Sequence, residues 1–437
     1  MKKTDTLIIG AGLSGLSAAF GLQGKKDYLL IEKERKVGGL SSSLKKNGFT
    51  FDFSGHLLHL HNEKTKKLIL KLLKENYSLI KRKSQIYSNN VFSPYPFQFN
   101  LFNLPSPVRK ACVSGFIKAY KKKLKEKSKN TGFLSFKNWS LSIFGEGINK
   151  HFMLPYNSKL WQYPLEKLSS DWCAPFVPVP KMEDIIAVAY LKEKENIGYN
   201  PTFYYPKKGG IQTLSNAFLK KIKNIHLNSE LMDINLKTKT ATIKNIGEVK
   251  YKHLINTTPL KHFLNKVTDA PLKIKKLNKT LKYTTVYVLN IGTKKINSDK
   301  HWTYFPEKSF KFYRAGISSN FSKHITPKNA SSMYIEVSTY GKPINIEKTE
   351  KEIVNGLIKC GILKNSKDII EKMWLKIECA YVIYDKERMK ALPEIFDYLK
   401  KHQIHSIGRY GAWKYSFMEE SIIEGLQAAQ EIIKSKS

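Results

Sequence analysis

The chain has 437 residues, 41% hydrophobic and 25% charged, enough for two or three domains around a buried cofactor and too ordinary in composition for a peptide, a fibrous protein or a disordered chain. Lys+Arg 75 against Asp+Glu 36 gives a formal charge of +39, a balance that raises nucleic acid or an acidic membrane as a partner. The lysines spread over the whole length, however, and the six arginines are Arg35, Arg82, Arg109, Arg314, Arg388 and Arg409, so the charge is read as a lysine-rich solvated surface.

At the N-terminus, Lys2 and Lys3 before the apolar, small-residue run 7–22 have the outline of a secretory signal. The glycines argue otherwise. Gly10, Gly12 and Gly15 form a GxGxxG pattern that starts as the β-rich run Thr6-Leu7-Ile8-Ile9 ends and opens a helical segment from Leu13 and Ser14 to Leu22. In such a strand-turn-helix unit the glycines allow a tight turn, backbone contact with a pyrophosphate and close helix packing, with phosphate on the helix N-terminus. A second strand, 27–31, ends in Glu32, 22 positions after Gly10, where a carboxylate accepts from a ribose 2′-OH and disfavours a 2′-phosphate.

A basic loop follows from Lys33 through Gly38, Gly39, Leu40 and Ser41, then an apolar strand leading to Gly55 and His56. The stretch 106–150 reads as a helical insertion, with a helix over 108–127. Residues 200–260 return to strands, with a helix over 211–222. Period-two runs over 281–340 predict a second, antiparallel sheet. The C-terminus reads as a last strand and turn, 405–411 with Gly408 and Arg409, and a helix over 421–429 that begins at Ser421 and whose N-terminus is free to face a bound dinucleotide. The fold class is therefore α/β, a Rossmann-like dinucleotide-binding domain, FAD-binding by the resemblance given below, with a helical insertion and a second antiparallel sheet. Its divisions are 1–104, FAD-binding; 105–199, the insertion on the substrate side; 200–275, FAD-binding; 276–370, the sheet domain; and 371–437, FAD-binding. No internal repeat and no transmembrane segment is read. Cys112, Cys173, Cys360 and Cys379 are far apart with no CxxC pair, which fits a reducing cytoplasm better than a disulfide framework, and no spacing suggests a metal.

The loop Lys33–Ser43 with its paired glycines, and the segment reaching Gly55-His56, resemble the flavoproteins that include amine oxidases, protoporphyrinogen oxidases and UDP-galactopyranose mutases. Five further stretches narrow this: the Gly55-His56 segment with His59 and His61; Tyr95-Pro96-Phe97-Gln98; Pro155-Tyr156-Asn157 with Trp161; Trp302 to Glu307 with Phe312-Tyr313-Arg314; and Gly408 to Tyr415. Together, and in order over nearly the whole chain, they resemble the UDP-galactopyranose mutase family, its eukaryotic branch more than its bacterial one. The resemblance implies FAD, reduced for activity, with its N5 attacking the anomeric carbon while a nucleoside diphosphate leaves, so that the sugar ring contracts without net redox; it also implies a role in surface glycan biosynthesis. It implies nucleotide contacts at Tyr95, Phe97, Gln98, Asn157 and Trp161, substrate contacts at Asn200, Lys207 and Tyr304, His56 beside the flavin, Tyr381 and Tyr415 as hydroxyl donors near the diphosphate, and Arg314 among the catalytic groups.

The residue types agree with such a pocket, since a base needs an aromatic face and an amide that offers both donor and acceptor. Departures are also visible. Of the family's two diphosphate arginines, one falls on Phe176 and the other on Thr293, and Glu419 stands where the family places an asparagine against the phosphates. Compensating cations are expected at Lys207, Lys208, Lys294 or Lys295, and Arg314. Three readings follow: an NDP-sugar mutase, an FAD-dependent oxidoreductase of the amine oxidase or protoporphyrinogen oxidase type, and a non-enzymatic polyanion binder resting on charge alone. The partners expected are a small nucleotide sugar and no specific nucleic acid, with a homo-oligomer allowed for.

Overall fold

The computed structural model describes residues 1–125, 133–173, 177–190 and 200–435. The strand Lys2–Ile9 lies at the centre of a seven-stranded sheet, parallel to Gly247–Asn256 on one side and to Tyr28–Ile31 on the other. Leu7, Ile8, Leu29, Leu30, Leu254 and Ile255 are all buried, because a parallel sheet is covered on both faces and its strands read as continuous apolar runs. Ile404–Ser406 joins in parallel against Gly247–Asn256, so the two chain ends meet in one sheet. The helix Leu13–Leu22 covers this sheet and packs along the C-terminal helix Met418–Lys434, with Leu16, Ala18, Ala19, Ile422, Ala428 and Ala429 in one core.

The second sheet runs in the order Ile369–Val382, Tyr283–Lys294, Ala330–Thr339, Arg314–Ile317, Trp302–Tyr304, Ser84–Ser88 and Val91–Pro94. All its pairings are antiparallel except Trp302–Tyr304 with Ser84–Ser88. It thus recruits strands from outside 276–370: two from before the insertion, and Ile369–Val382, most of which sequence reading assigned to the last FAD-binding part. Two-residue periodicity locates strands but does not say which sheet they join. A register shift in Ile369–Val382, where Thr284 faces Tyr381 and Val286 faces Ile377, marks a bulge that re-aims residues 378–380.

Between the sheets sits the helical insertion, with Ser106–Lys125, Phe136–Ile148 and Leu154–Trp161 around Phe97, Phe116, Phe144 and Phe152. The expected 108–127 helix is Ser106–Lys125, its predicted end lying outside the described residues. A π-helical turn, Asn149–Met153, precedes Leu154–Trp161, and Asn149 inside it donates to the Ser140 and Gly145 carbonyls at 2.8 and 2.7 Å. Such turns shift side-chain register by one residue, and the residues that follow this one face the site. The four cysteines are free and buried. Among the described residues no helix is long and apolar enough to cross a membrane.

Candidate functional site: a dinucleotide cleft joined to an aromatic pocket

One continuous cavity of about 1220 Å³ runs from the edge of the first sheet to the second, larger than an ordinary small-ligand pocket of roughly 300–1,000 Å³. Its first half is built on the glycine turn. Gly10, Gly12, Leu13 and Ser14 form the wall, and Gly12 caps the helix in extended conformation with no side chain on its free N–H groups, which leaves them for an anion. A Cβ on Gly12 would meet no atom of the described residues within 4 Å, whereas one on Gly15 would lie 1.9 Å from the Gly10 carbonyl oxygen. Gly12 is thus open toward the cavity, and Gly15 lies behind the wall, where it lets the helix close on the strand.

Glu32 ends its strand as expected. Its carboxylate accepts from the Ala11 N–H at 2.7 Å and the Glu34 N–H at 3.0 Å, leaving lone pairs toward the cavity for ribose hydroxyls. Burial raises its pKa, against the pull of those two N–H groups. Lys33, Gly38, Gly39, Leu40 and Ser41 continue the wall, with Gly38 N–H on the Ala11 carbonyl at 2.8 Å. Gly55, His56 and Ser421 also line the cavity. Gly408 does not; its N–H donates to Glu424 at 2.6 Å, beneath the cleft.

Burial pushes His56 down to about 4, with Arg409 and Arg314 nearby opposing its charge further, so its imidazole is neutral at neutral pH. His59 is pushed to about 4 by the same burial while its Nδ1 meets the Thr202 carbonyl at 3.2 Å. His61 Nε2 pairs with the Asn200 Oδ1 at 2.8 Å, and Asn200 reaches the cavity wall with φ of 61°.

The second half is aromatic. Tyr95 and Tyr304 meet with ring centroids 4.8 Å apart, Tyr156 stands edge-on to Tyr304 at 5.3 Å, and Trp161 edge-on to Tyr381 at 5.7 Å. Tyr381 and Tyr415 lie nearly parallel with centroids 6.1 Å apart. The Arg409 guanidinium stands 5.3 and 4.8 Å from those two rings and donates to the Ser416 and Ala380 carbonyls at 2.9 and 2.8 Å. Gln98 and Asn157 line the pocket, but an amide N–H of each is engaged, with the Pro178 carbonyl at 2.6 Å and the Met153 carbonyl at 2.8 Å.

Several expectations are corrected. Phe97 is fully buried against Phe152, ring centroids 5.2 Å apart, and is not on the wall; its apolar ring fills the insertion's core. Lys207 and Lys208 are exposed and off the cavity wall, and the Lys208 backbone exchanges hydrogen bonds with the Asn76 side-chain amide. Thr293 is buried in the second sheet, off the cavity, and Lys294 pairs with Asp368 at 3.4 Å. Glu419 does not face the pocket, because its carboxylate is spent on backbone N–H groups of His61 and Asn62. Phe176 lies outside the described residues. Of the expected compensating cations, Arg314 alone is on the wall.

Sequence reading also missed wall residues, among them Arg82, Tyr156, Tyr313 and Glu336. One signal was available: Arg35, Arg82, Arg314 and Arg409, four of the six arginines, line the cavity. A chain that otherwise uses lysine keeps arginine where a planar fork is needed. Glu336 carried no such signal, since only strand pairing sets it opposite Arg314.

The residues present fit a flavin dinucleotide and a second ligand. The uncapped helix N-terminus, the open face of Gly12 and the spare lone pairs of Glu32 suit a pyrophosphate and a ribose, while the buried Trp161 Nε1, Trp172 Nε1 and Tyr313 hydroxyl at the aromatic end have no partner among the described residues, as donors to a ligand would.

The comparisons agree with this geometry. The family described as flavin containing amine oxidoreductase matches residues 13–433. A reduced UDP-galactopyranose mutase superposes with a TM-score of 0.92 at 29% identity, covering 98% of this chain and 95% of that one. A putrescine oxidase bound to putrescine, at 0.65 and 14% identity over 99% of both chains, and a fatty acid isomerase from P. acnes, at 0.66 and 13% over 98% of both, share the fold. A 4,4′-diapolycopene oxygenase from Methylomonas sp is 49% identical over 53 residues, which is 12% of this chain and 11% of that protein's length. The chain belongs to the flavin containing amine oxidoreductase family and is a flavoenzyme, with FAD the cofactor that this membership implies.

Proposed function

We propose that this flavoenzyme is an NDP-sugar pyranose/furanose mutase that works with reduced FAD. The observation that carries the reading is the aromatic pocket continuous with the dinucleotide cleft: Tyr95, Tyr156, Trp161, Tyr304, Tyr381 and Tyr415 surround a space whose wall also carries the cations Arg82, Arg314 and Arg409. Near-complete coverage of a UDP-galactopyranose mutase at 29% identity supports it. Gly12, Leu13 and Ser14 at the helix N-terminus would hold the pyrophosphate, Glu32 the ribose, and the Gly38–Gly39 turn the length of the cofactor. Bound and reduced, the flavin supplies a nucleophile for the sugar's anomeric carbon, with no net redox change.

The protein's own part is binding and charge. Trp161 and Tyr95 offer faces to a base, and the carbonyl oxygens that Gln98 and Asn157 leave free accept from its N–H groups. The leaving diphosphate carries about two charges that a closed site must offset. Arg314 meets them with Nη1, assisted by the hydroxyls of Tyr381 and Tyr415. His56, neutral, lies where it donates or accepts one hydrogen bond without adding charge.

The test is to incubate dithionite-reduced, FAD-loaded protein with UDP-galactopyranose, UDP-galactofuranose and other NDP-sugars, and to follow ring interconversion by chromatography. Turnover by the reduced form and none by the oxidised form is expected. Absence of interconversion with every NDP-sugar, together with oxygen consumption on an amine or a porphyrinogen, would put the oxidoreductase in its place. Lys207→Ala and Lys208→Ala leave UDP affinity unchanged on this reading, while Arg314→Ala weakens it about tenfold, or 1.4 kcal/mol.

A further inference from the structure

Arg314 is already paired before any substrate arrives. Its Nε donates to Glu336 Oε2 at 2.5 Å and its Nη2 to Oε1 at 2.8 Å, a two-point contact along one edge of the guanidinium. Glu336 is 2% exposed and also takes the hydroxyl proton of Ser54, two residues before the His56 that faces the flavin cleft. Arg314 lies over the Tyr334 ring at 5.7 Å, and its side chain is 21% exposed. No acceptor among the described residues meets its Nη1. The fork that would grip a diphosphate at two points is therefore occupied, and the pair brings no net charge to the pocket.

We propose that Glu336 is a positioning residue that fixes the Arg314 guanidinium edge-on and moderates its charge, so that the nucleoside diphosphate is held at one point while it leaves the anomeric carbon and returns to the ring-contracted sugar, and the NDP-sugar product is held weakly enough to be released. The inference rests on the mutase reading and deepens it. A free arginine in a closed pocket would hold the diphosphate of the NDP-sugar product tightly and slow the cycle. With Glu336 in place, the buried carboxylate offsets that attraction, and Nη1 stays pointed at the cavity because the other edge cannot turn. The shared register Arg314↔Glu336 on adjacent antiparallel strands keeps both side chains on one face of the sheet.

The test measures UDP binding by titration calorimetry and steady-state turnover of an NDP-sugar, on FAD-loaded reduced protein. Glu336→Gln keeps the shape and removes the charge, so UDP affinity should rise at least about fivefold, with kcat and KM falling together as product release slows. The gain should shrink at high salt and vanish in Glu336→Gln with Arg314→Ala. UDP affinity that is unchanged or weaker in Glu336→Gln overturns the proposal. If that variant does not fold, Glu336→Asp serves: it retains the charge but retracts it by a methylene, so kcat should fall several-fold with UDP affinity within about twofold of the parent, and a wild-type kcat would overturn the proposal. Failure of the parent reading looks different, because the unmodified protein would then neither bind UDP nor convert any NDP-sugar, whatever Glu336 does.

Discussion

The Glu419 carboxylate accepts the backbone N–H of His61 at 2.9 and 3.0 Å and that of Asn62 at 2.9 Å, so the first turn of the C-terminal helix pins the segment that carries His56, His59 and His61. Glu419 is 7% exposed, and its charge also suits the helix N-terminus in which it sits. Glu419→Ala would leave two N–H groups without an acceptor, at about 1–3 kcal/mol of stability. Chemical denaturation should show that loss, with Glu419→Gln closer to the parent because one carbonyl oxygen remains. Nucleotide affinity should change little in Glu419→Gln. A variant that is fully stable yet loses UDP binding would return Glu419 to the pocket.

Much of this was legible in the sequence, for reasons that differ by region. The glycine turn, Glu32 and the Gly38–Gly39 loop are local: their spacing alone sets the strand-turn-helix geometry, and the helix Leu13–Leu22 has the bounds read from the sequence. Glu419 was misread because its partner lies 358 positions away, and resemblance aligned it to a neighbour of Tyr415 rather than to the helix turn it occupies. Lys207 was misread for a similar reason. A Pro-Lys-Lys-Gly-Gly turn gives no hint of which way its side chains leave the surface. The Arg314–Glu336 pair depends on strand order in the second sheet, which no periodicity encodes.

The glycine turn separates two kinds of damage. Gly12 has φ of −72°, a conformation any residue adopts, and its absent Cβ faces open cavity, so Gly12→Val should fold normally and lose flavin because a side chain then occupies the pyrophosphate's approach. Gly15→Ala puts a Cβ 1.9 Å from the Gly10 carbonyl oxygen, and must push helix from strand, so it should lower Tm as well as flavin content. Flavin absorbance of the purified proteins, with thermal melts, reads both. A Gly12→Val protein that stays yellow would falsify the assignment of this turn to the pyrophosphate.

Histidine burial gives the fold an acid sensitivity of known sign. His301 is 5% exposed, its Nδ1 accepts the Lys83 N–H at 2.8 Å, and burial pushes its pKa down to about 4 from an ordinary 6.5. Between those values the unfolded chain binds a proton that the folded chain refuses, so stability present above about pH 6.5 is lost as pH falls toward about 4, by up to roughly 3 kcal/mol. His56 and His59 are pushed the same way. His301→Asn, which retains an acceptor for Lys83, should therefore reduce the proton uptake on unfolding at pH 5 by about one, measured from the pH dependence of urea midpoints. Identical slopes in variant and parent would mean that His301 protonates freely in the fold.

Arg409 has a different surrounding from Arg314, and its replacement should have a different effect. Among the described residues no carboxylate meets it: its guanidinium donates to the Ser416 and Ala380 carbonyls and stands close to the rings of Tyr381, Tyr410 and Tyr415. A buried cation held by dipoles and ring faces keeps its charge available to an anionic neighbour, and Arg409 lines the cavity at the joint between the dinucleotide cleft and the aromatic pocket. Arg409→Lys preserves the charge but reaches the two carbonyls from one point and gives up the planar contact that fits beside the Tyr381 and Tyr415 rings. Those rings would then lose the spacer that sets their relative position. FAD affinity should fall at least about tenfold, and UDP affinity should fall with it because Tyr381 and Tyr415 move. Arg314→Lys, by contrast, should weaken UDP alone and leave flavin bound, since Arg314 is anchored by Glu336 on the second sheet. Fluorescence titration of FAD into the two apoproteins, alongside UDP titration of the two holoproteins, distinguishes them; equal FAD affinity in both would show that Arg409 serves the pocket and not the cofactor.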